Sequence, residues 1–299
     1  MKKRTAPLTW LVGVDGSAHA ERAARFALER VAVGGGSIRG VSIVPPLRRF
    51  PRPGEIAVVE ALALRARTAL DQWADRCRAR GVRVETRALE SDRPAEALLK
   101  ESDRARASLV VVGARGLSPF KAFLMGSVSQ RVVRRSRRPV LVVRGNPPPR
   151  GLRALVAVDG SSTGRRAIAF LKKIGLPAGS TVTAVHVVAD PLALWAPEAG
   201  YGGGYPGGPF PLESRTELRR RGRTLLDKAV RDLRTEFAGA RGRLTEGHPP
   251  VELLAEAKKA RAHLVVLGAR GLRGLDRFFL GSVSQQVLAH AESSVLIVP

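Results

Sequence analysis

Short runs of consecutive apolar residues alternate along the chain with longer stretches in which apolar positions return every three or four residues. The short runs predict buried strands at Trp10–Val14, Ser37–Val44, Val82–Ala88, Leu109–Val112 and Val140–Val143. The longer stretches predict helices at Ala20–Val33, Ile56–Ala79, Ala95–Ala105 and Val128–Arg135. In the second helix, Leu62, Ala66, Leu70 and Trp73 fall on the inward face. The strands do not alternate polar and apolar positions. Strand and helix alternate instead, which predicts an α/β chain with a mainly parallel sheet, helices on both faces and right-handed crossovers.

The pattern then runs a second time. Gly145-Asn-Pro-Pro-Pro-Arg-Gly151 cannot continue a helix and reads as a stiff boundary. Beyond it come Leu155–Val158, Gly164–Ile174, Thr181–Val188, Gly222–Phe237, Arg241–Glu246, Pro250–Ala260, Leu264–Leu267 and Val295–Val298. Residues 1–145 and 152–299 therefore form two repeats, joined by a Pro-rich linker at 146–151. The second repeat carries extra residues at 189–215, including the Gly- and Tyr-rich stretch Tyr201–Phe210. Its glycines predict mobility, as a lid with an aromatic contact or as a tolerated surface insertion, of which the insertion is the favoured reading.

One chemical device occurs in both repeats. The strand Leu109–Val112 exits into Gly113-Ala-Arg-Gly116, and Gly126-Ser127 follows nine residues later at the start of a helical pattern. In the second repeat Gly268, Gly271, Gly281 and Ser282 stand at the same spacing, Gly-x2-Gly-x9-Gly-Ser. A strand, a glycine loop and a helix N-terminus together offer unpaired amides and a positive dipole end, which suit phosphate. Ser127 with Gln130, and Ser282 with Gln285, have the spacing of a capping box. Ser129 and Ser284 lie two residues further on, within reach of the same anion. Arg115 and Arg270 either neutralise phosphate charge or stand solvated.

Asp15 and Asp159 follow the first strand of each repeat, at the end where open α/β sheets take ligands. A carboxylate there serves a ribose hydroxyl or a metal on phosphates; otherwise it makes an Asx-turn. The second strands end at Val44 and Val188, where backbone groups and an apolar wall meet the needs of an adenine ring. The chain lacks the Gly-Lys-Ser/Thr of phosphate-loop ATPases. Its glycine motif follows the fourth strand, not the first, so it is not a Rossmann turn. No general base or nucleophile elbow stands out, and the site reads as built to hold a nucleotide rather than to hydrolyse it fast.

Composition adds less. The 299 residues carry a formal charge of +25, with 30 Lys and Arg against 13 Asp and Glu in the first 150 residues. Such a field draws nucleic acid as well as nucleotides. The excess is mostly arginine spread over many helices, which a GC-rich codon bias also produces. The lone cysteine, Cys77, excludes an internal disulfide and agrees with a reducing compartment. None of the five histidines has a metal-binding spacing. The N-terminal apolar run is too short for a signal peptide and is broken by Asp15, and no stretch reaches membrane-spanning length. The expectation is a cytoplasmic protein with no membrane partner.

Taken together, LVGVDGS at 11–17, LVAVDGS at 155–161, HVV at 186–188 and the two VV-x-GARG frames resemble the tandem universal stress proteins over nearly the whole length. In that family Gly-x2-Gly-x9-Gly-Ser marks an ATP-binding branch. The resemblance implies two open five-stranded parallel sheets of order 3-2-1-4-5, an adenine nucleotide alpha hydrolase-like fold. It implies ATP as ligand, with Mg2+ on its phosphates. Gly113, Gly116, Gly126 and Ser127 would contact phosphate in the first repeat, with Ser129 nearby. Gly268, Gly271, Gly281, Ser282 and Ser284 would do so in the second, and Asp15 and Asp159 would lie near the nucleotide. The family pairs its last strands, here Val140–Val143 beside Val295–Val298, as an intramolecular pseudo-dimer that is open to further homo-oligomerisation. The function implied is an ATP-binding stress-response regulator. A slow ATPase or adenylyl-transfer enzyme, and a charge-driven nucleic-acid scaffold, are the alternatives. The repeats also differ: Ser42 stands where the second repeat has His186, and Ser-Asp-Arg-Pro at 91–94 faces Gly-His-Pro-Pro at 247–250, which brings His248 toward the ligand end.

Overall fold

A computed structural model describes residues 8–47, 53–116, 125–146, 148, 151–189, 215–271 and 280–299. The Gly/Tyr-rich insertion, read from sequence as a lid or surface loop, lies outside these residues. The first repeat runs β1 (Thr9–Gly13), α1 (Ala18–Gly34), β2 (Ser37–Val44), α2 (Glu55–Ala79), β3 (Arg83–Glu90), α3 (Pro94–Arg104), β4 (Leu109–Gly113), α4 (Ser127–Arg135) and β5 (Val140–Val143). The second runs β6 (Arg153–Ala157), α5 (Ser162–Ile174), β7 (Thr181–Ala189), α6 (Arg215–Arg234), β8 (Arg241–Gly247), α7 (Pro249–Lys259), β9 (Leu264–Gly268), α8 (Ser282–His290) and β10 (Ser294–Val298).

Each repeat builds a parallel sheet of order 3-2-1-4-5, and the two fuse into one sheet, β3-β2-β1-β4-β5-β10-β9-β6-β7-β8. The join is the expected pairing of last strands. β5 and β10 run antiparallel, with Val142 opposite Val295, Leu141 opposite Leu296 and Val140 opposite Ile297. Every residue of β4, β5 and β10 is buried. These strands are covered on both faces, so an unbroken apolar run is what the fold needs there. The outer strands β3 and β8 are half-exposed and carry Arg83, Glu85, Arg87, Arg241, Arg243 and Glu246. Charge on both free edges opposes pairing with another chain.

Successive strand residues feed two apolar layers. Trp10 and Val12 join Ala23, Trp73, Ile168 and Leu226 on the side of α1, α2, α5 and α6. Leu11 joins Leu98, Val132, Leu253 and Val287 on the side of α3, α4, α7 and α8. Both layers continue across the β5–β10 join. Trp73, assigned to the core from sequence, is 1% exposed. It fits because β2 has Gly40 opposite: a β-carbon there would lie 2.5 Å from Trp73 Cζ3. Cys77 is also fully buried, and burial pushes its thiol up to about 11. Glu101 of α3 is buried and ties that helix to the sheet through Arg39 Nη1 at 2.9 Å and Arg87 Nη1 at 3.1 Å. Among the described residues, no helix is long and apolar enough to cross a membrane.

Candidate functional site

The turn after the first strand is the same in both repeats. Asp15 Oδ1 accepts the Ser17 N–H at 2.9 Å, and Asp159 Oδ1 accepts the Ser161 N–H at 2.9 Å. Between them Gly16 (φ 73°) and Gly160 (φ 77°) take the left-handed conformation that the tight turn requires. Ser17 and Ser161 then cap α1 and α5. The aspartates therefore do make Asx-turns, with one oxygen each. The other oxygen faces the glycine loop. A β-carbon on Gly116 would lie 2.7 Å from Asp15 Oδ2, and one on Gly271 3.1 Å from Asp159 Oδ2.

The remaining glycines act differently from one another. At Gly113 a β-carbon would lie 2.6 Å from the His19 carbonyl carbon; at Gly268 it would lie 2.5 Å from Thr163 Oγ1. The space a side chain would take is filled by the first turn of α1 or α5, so these glycines let helix and strand touch. Gly126 and Gly281 close the loop: their N–H groups donate to Ala114 O and Ala269 O, each at 2.7 Å.

The expected capping boxes do not form. Gly126 is the N-cap of α4, extended at φ −78° and ψ 154°, and its carbonyl accepts the Gln130 N–H at 3.0 Å. Gly281 does the same for α8. Ser127 and Ser282 are thus one residue inside the helix, both are exposed, and neither helix has a side-chain cap. A glycine cap leaves the first-turn amides uncovered by any side chain of its own. Ser129 and Ser284 are buried, and their hydroxyls donate to Gly113 O at 2.6 Å and Gly268 O at 2.7 Å. They brace the helix start against the strand exit.

In the second repeat these parts line a cavity of about 470 Å3. Asp159, Arg270, Gly271 and Ser282 stand on its polar side; Val187 and Leu253 are part of its apolar wall. The volume falls within the range usual for small-molecule pockets. Val188 is buried against Gly222 of α6 instead, and its neighbours His186, Val187 and Ala189 supply the wall. In the first repeat Val44 is buried and its carbonyl accepts the Ser91 N–H at 2.9 Å. Arg115 and Arg270 are half-buried. Thr163 Oγ1 and Ser161 Oγ both donate to Arg270 O, which pins the second glycine turn to α5.

Two site residues escaped the sequence reading as ligand-facing groups. His186 Nδ1 donates to Val158 O at 2.6 Å, which fixes the ring at the cavity wall. Its signals in the sequence were the HVV at 186–188 and the Ser42 that stands in its place in the first repeat. His19, the counterpart of Thr163, sits on the first turn of α1 in contact with Arg22. Burial lowers its pKa, Arg22 and Arg115 lower it further, and Asp15 opposes them. The lowered pKa favours the neutral ring at the first site, where the second repeat has Thr163. His248 is half-buried before α7 and does not line the cavity. Among the described residues no group of three His, Cys, Asp or Glu is placed to hold a metal.

The universal stress protein family matches residues 9–144 and again 152–299. A universal stress protein of Mycolicibacterium smegmatis is 29% identical over 301 residues, covering 96% of each chain. One from Thermus aquaticus is 37% identical over 136 residues, which is 46% of this chain and 98% of that one. The solved universal stress protein of Archaeoglobus fulgidus superposes with a TM-score of 0.67 at 21% identity over 97% of both chains, a likeness of fold. With two matched segments that span nearly its whole length, the chain belongs to the universal stress protein family as a tandem of two such domains.

Proposed function

We propose that the protein is an ATP-binding regulator of the stress response, with one nucleotide site in each repeat. The observation that carries this reading is the placing of Asp15 Oδ2 and Asp159 Oδ2 beside Gly116 and Gly271, next to a helix whose cap is glycine, twice over. Phosphates lie on the first-turn amides of α4 and α8, where the dipole is positive. Arg115 and Arg270 add charge. The adenine sits against His186, Val187 and Ala189 in the second repeat, and the ribose near the aspartate.

The donor set fits Mg2+ only as an ion brought by the nucleotide. One carboxylate oxygen per site is a suitable hard ligand, and Mg2+ normally completes its shell with phosphate and water. Bound there, it would screen the phosphate charge. Two polar atoms of the second cavity's described lining are already engaged. Asp159 Oδ1 is engaged by Ser161, and His186 Nδ1 by Val158 O. The arrangement favours retention over turnover.

Native mass spectrometry of the freshly purified chain, followed by titration with ATP, tests the reading. Up to two bound adenine nucleotides are expected. Ser127→Asp and Ser282→Asp place a negative charge at the two amide clusters on exposed positions, and each should remove one site. No nucleotide mass and no uptake of added ATP would overturn it.

A further inference from the structure

Because β5 and β10 are neighbours, the chain leaving β5 at Arg144 must pass the ends of β10 and β9 before β6 starts at Arg153. Under that crossing lies another cavity, of about 620 Å3. Phe26 and Arg144 reach it from the first repeat, while the starts of β6, β9 and β10 and the C-terminal ends of α7 and α8 bring the second. It is separate from the pocket around Asp159 and shares no lining residue with it.

Its charge is unbalanced. Arg144, Arg153, Lys258 and Arg261 line it, and Glu292 is the one carboxylate among its described lining residues. The helix C-termini of α7 and α8 contribute about half a negative charge each, which does not cancel the excess. One buried donor also lacks an acceptor. Arg144 donates from Nη2 to Leu288 O at 2.6 Å and from Nη1 to Ser293 O at 3.5 Å, but its Nε is buried without a partner. Its acceptors are neutral carbonyls, and burial together with the charge of Arg115 pulls the guanidinium down to about 10.

His263 makes a mismatched contact at the exposed rim, beside Arg153. Its Nδ1 faces the Arg153 backbone N–H at 3.1 Å, and its Nε2 faces Arg153 Nη2 at 2.8 Å. A neutral imidazole has one lone pair for these two donors. One contact therefore sets donor against donor, and an added acceptor would relieve it. Part of the wall is apolar: Phe26 and Leu152 are buried, and Leu254 half-buried, while Asn146, His290, Ser293 and Ser294 add polar groups.

We propose that this cavity between the repeats is an anion site for a phosphate-bearing small molecule. Its phosphate lies among Arg144, Arg153 and Arg261, and its organic part against Phe26 and Leu152. Since the walls come from both repeats, the ligand fastens one to the other. The site does not depend on the glycine loops, so it stands or falls separately from the nucleotide reading.

Pyrophosphate binding to the full chain, followed by calorimetry, tests it. Lys258→Gln with Arg261→Gln alters two exposed side chains; a thermal melt confirms that the fold survives. This double variant should weaken pyrophosphate by at least about tenfold, whereas Ser127→Asp with Ser282→Asp should leave a pyrophosphate site intact. The proposal is overturned if wild type takes up no pyrophosphate, if the cavity variant binds it as well as wild type, or if the loop variant alone abolishes binding.

Discussion

Asp15 and Gly116 are fitted to each other: a single added carbon at 116 would come within 2.7 Å of Asp15 Oδ2. The same fit recurs between Asp159 and Gly271 at 3.1 Å. The contact is to a side-chain oxygen, not to backbone, so an alanine at 116 can be absorbed by turning the carboxylate.

Gly116→Ala should therefore leave the fold intact and move Asp15 Oδ2 off its position. The expected outcome is a loss of ATP affinity of at least about tenfold at the first site, worth about 1.4 kcal/mol. Gly113→Ala should do the reverse. Its β-carbon meets the backbone of His19 at 2.6 Å, so helix or strand must shift. Overpacking of this kind costs about 1–3 kcal/mol. Thermal melts and ATP titration of the two variants separate the effects; equal melting points would show that Gly113 has no packing role.

The join between repeats should be a point of high sensitivity. Leu296 is 0% exposed and lies opposite Leu141. Leu296→Ala removes buried methyl groups where both apolar layers cross, at about 2–5 kcal/mol. Urea denaturation should show one earlier transition, because the layers are continuous. Two separate transitions would mean that the repeats unfold independently.

Glu101 offers a test of a buried ion pair. It is 4% exposed, whereas the side chains of Arg39 and Arg87 are 21% and 35% exposed. Removing one partner of a buried pair costs about 3–5 kcal/mol. Here the arginines rehydrate, so Glu101→Ala should fall at or below the lower end of that range. A loss under about 0.5 kcal/mol in urea melts, typical of a surface change, would contradict this account.

Stability should fall on mild acidification. His19 and His263 have pKa values below 6.5 in the folded chain, chiefly through burial. Between the lowered value and 6.5 the unfolded chain binds more protons, so stability rises with pH there and is complete above 6.5. Going from about pH 7.5 to about pH 5 should lower the urea midpoint, and His19→Gln with His263→Gln should flatten that slope. An unchanged slope would show that other groups govern it.

The fold was largely legible because a two-sided parallel sheet demands apolar runs, and β4, β5, β9 and β10 supply them without interruption. The site was legible as a spacing but not as a set of roles. Ser-x-x-Gln reads the same whether serine is the cap or the residue after it; only the extended conformation of Gly126 and Gly281 decides. Likewise Gly113 looked like room for a ligand, and the room is taken by His19. The basic cavity could not be read at all. It gathers Phe26, Arg144, Arg153, Arg261 and His263 from segments far apart in the chain, and no local pattern links them.

Strand direction reverses at the β5–β10 join. Asp15 and Asp159 each follow the end of a strand, so they open toward opposite poles of the sheet. One molecule the size of a nucleotide cannot span both. On the nucleotide-binding reading proposed above the chain is double-headed, and each pole of the sheet presents one pocket only.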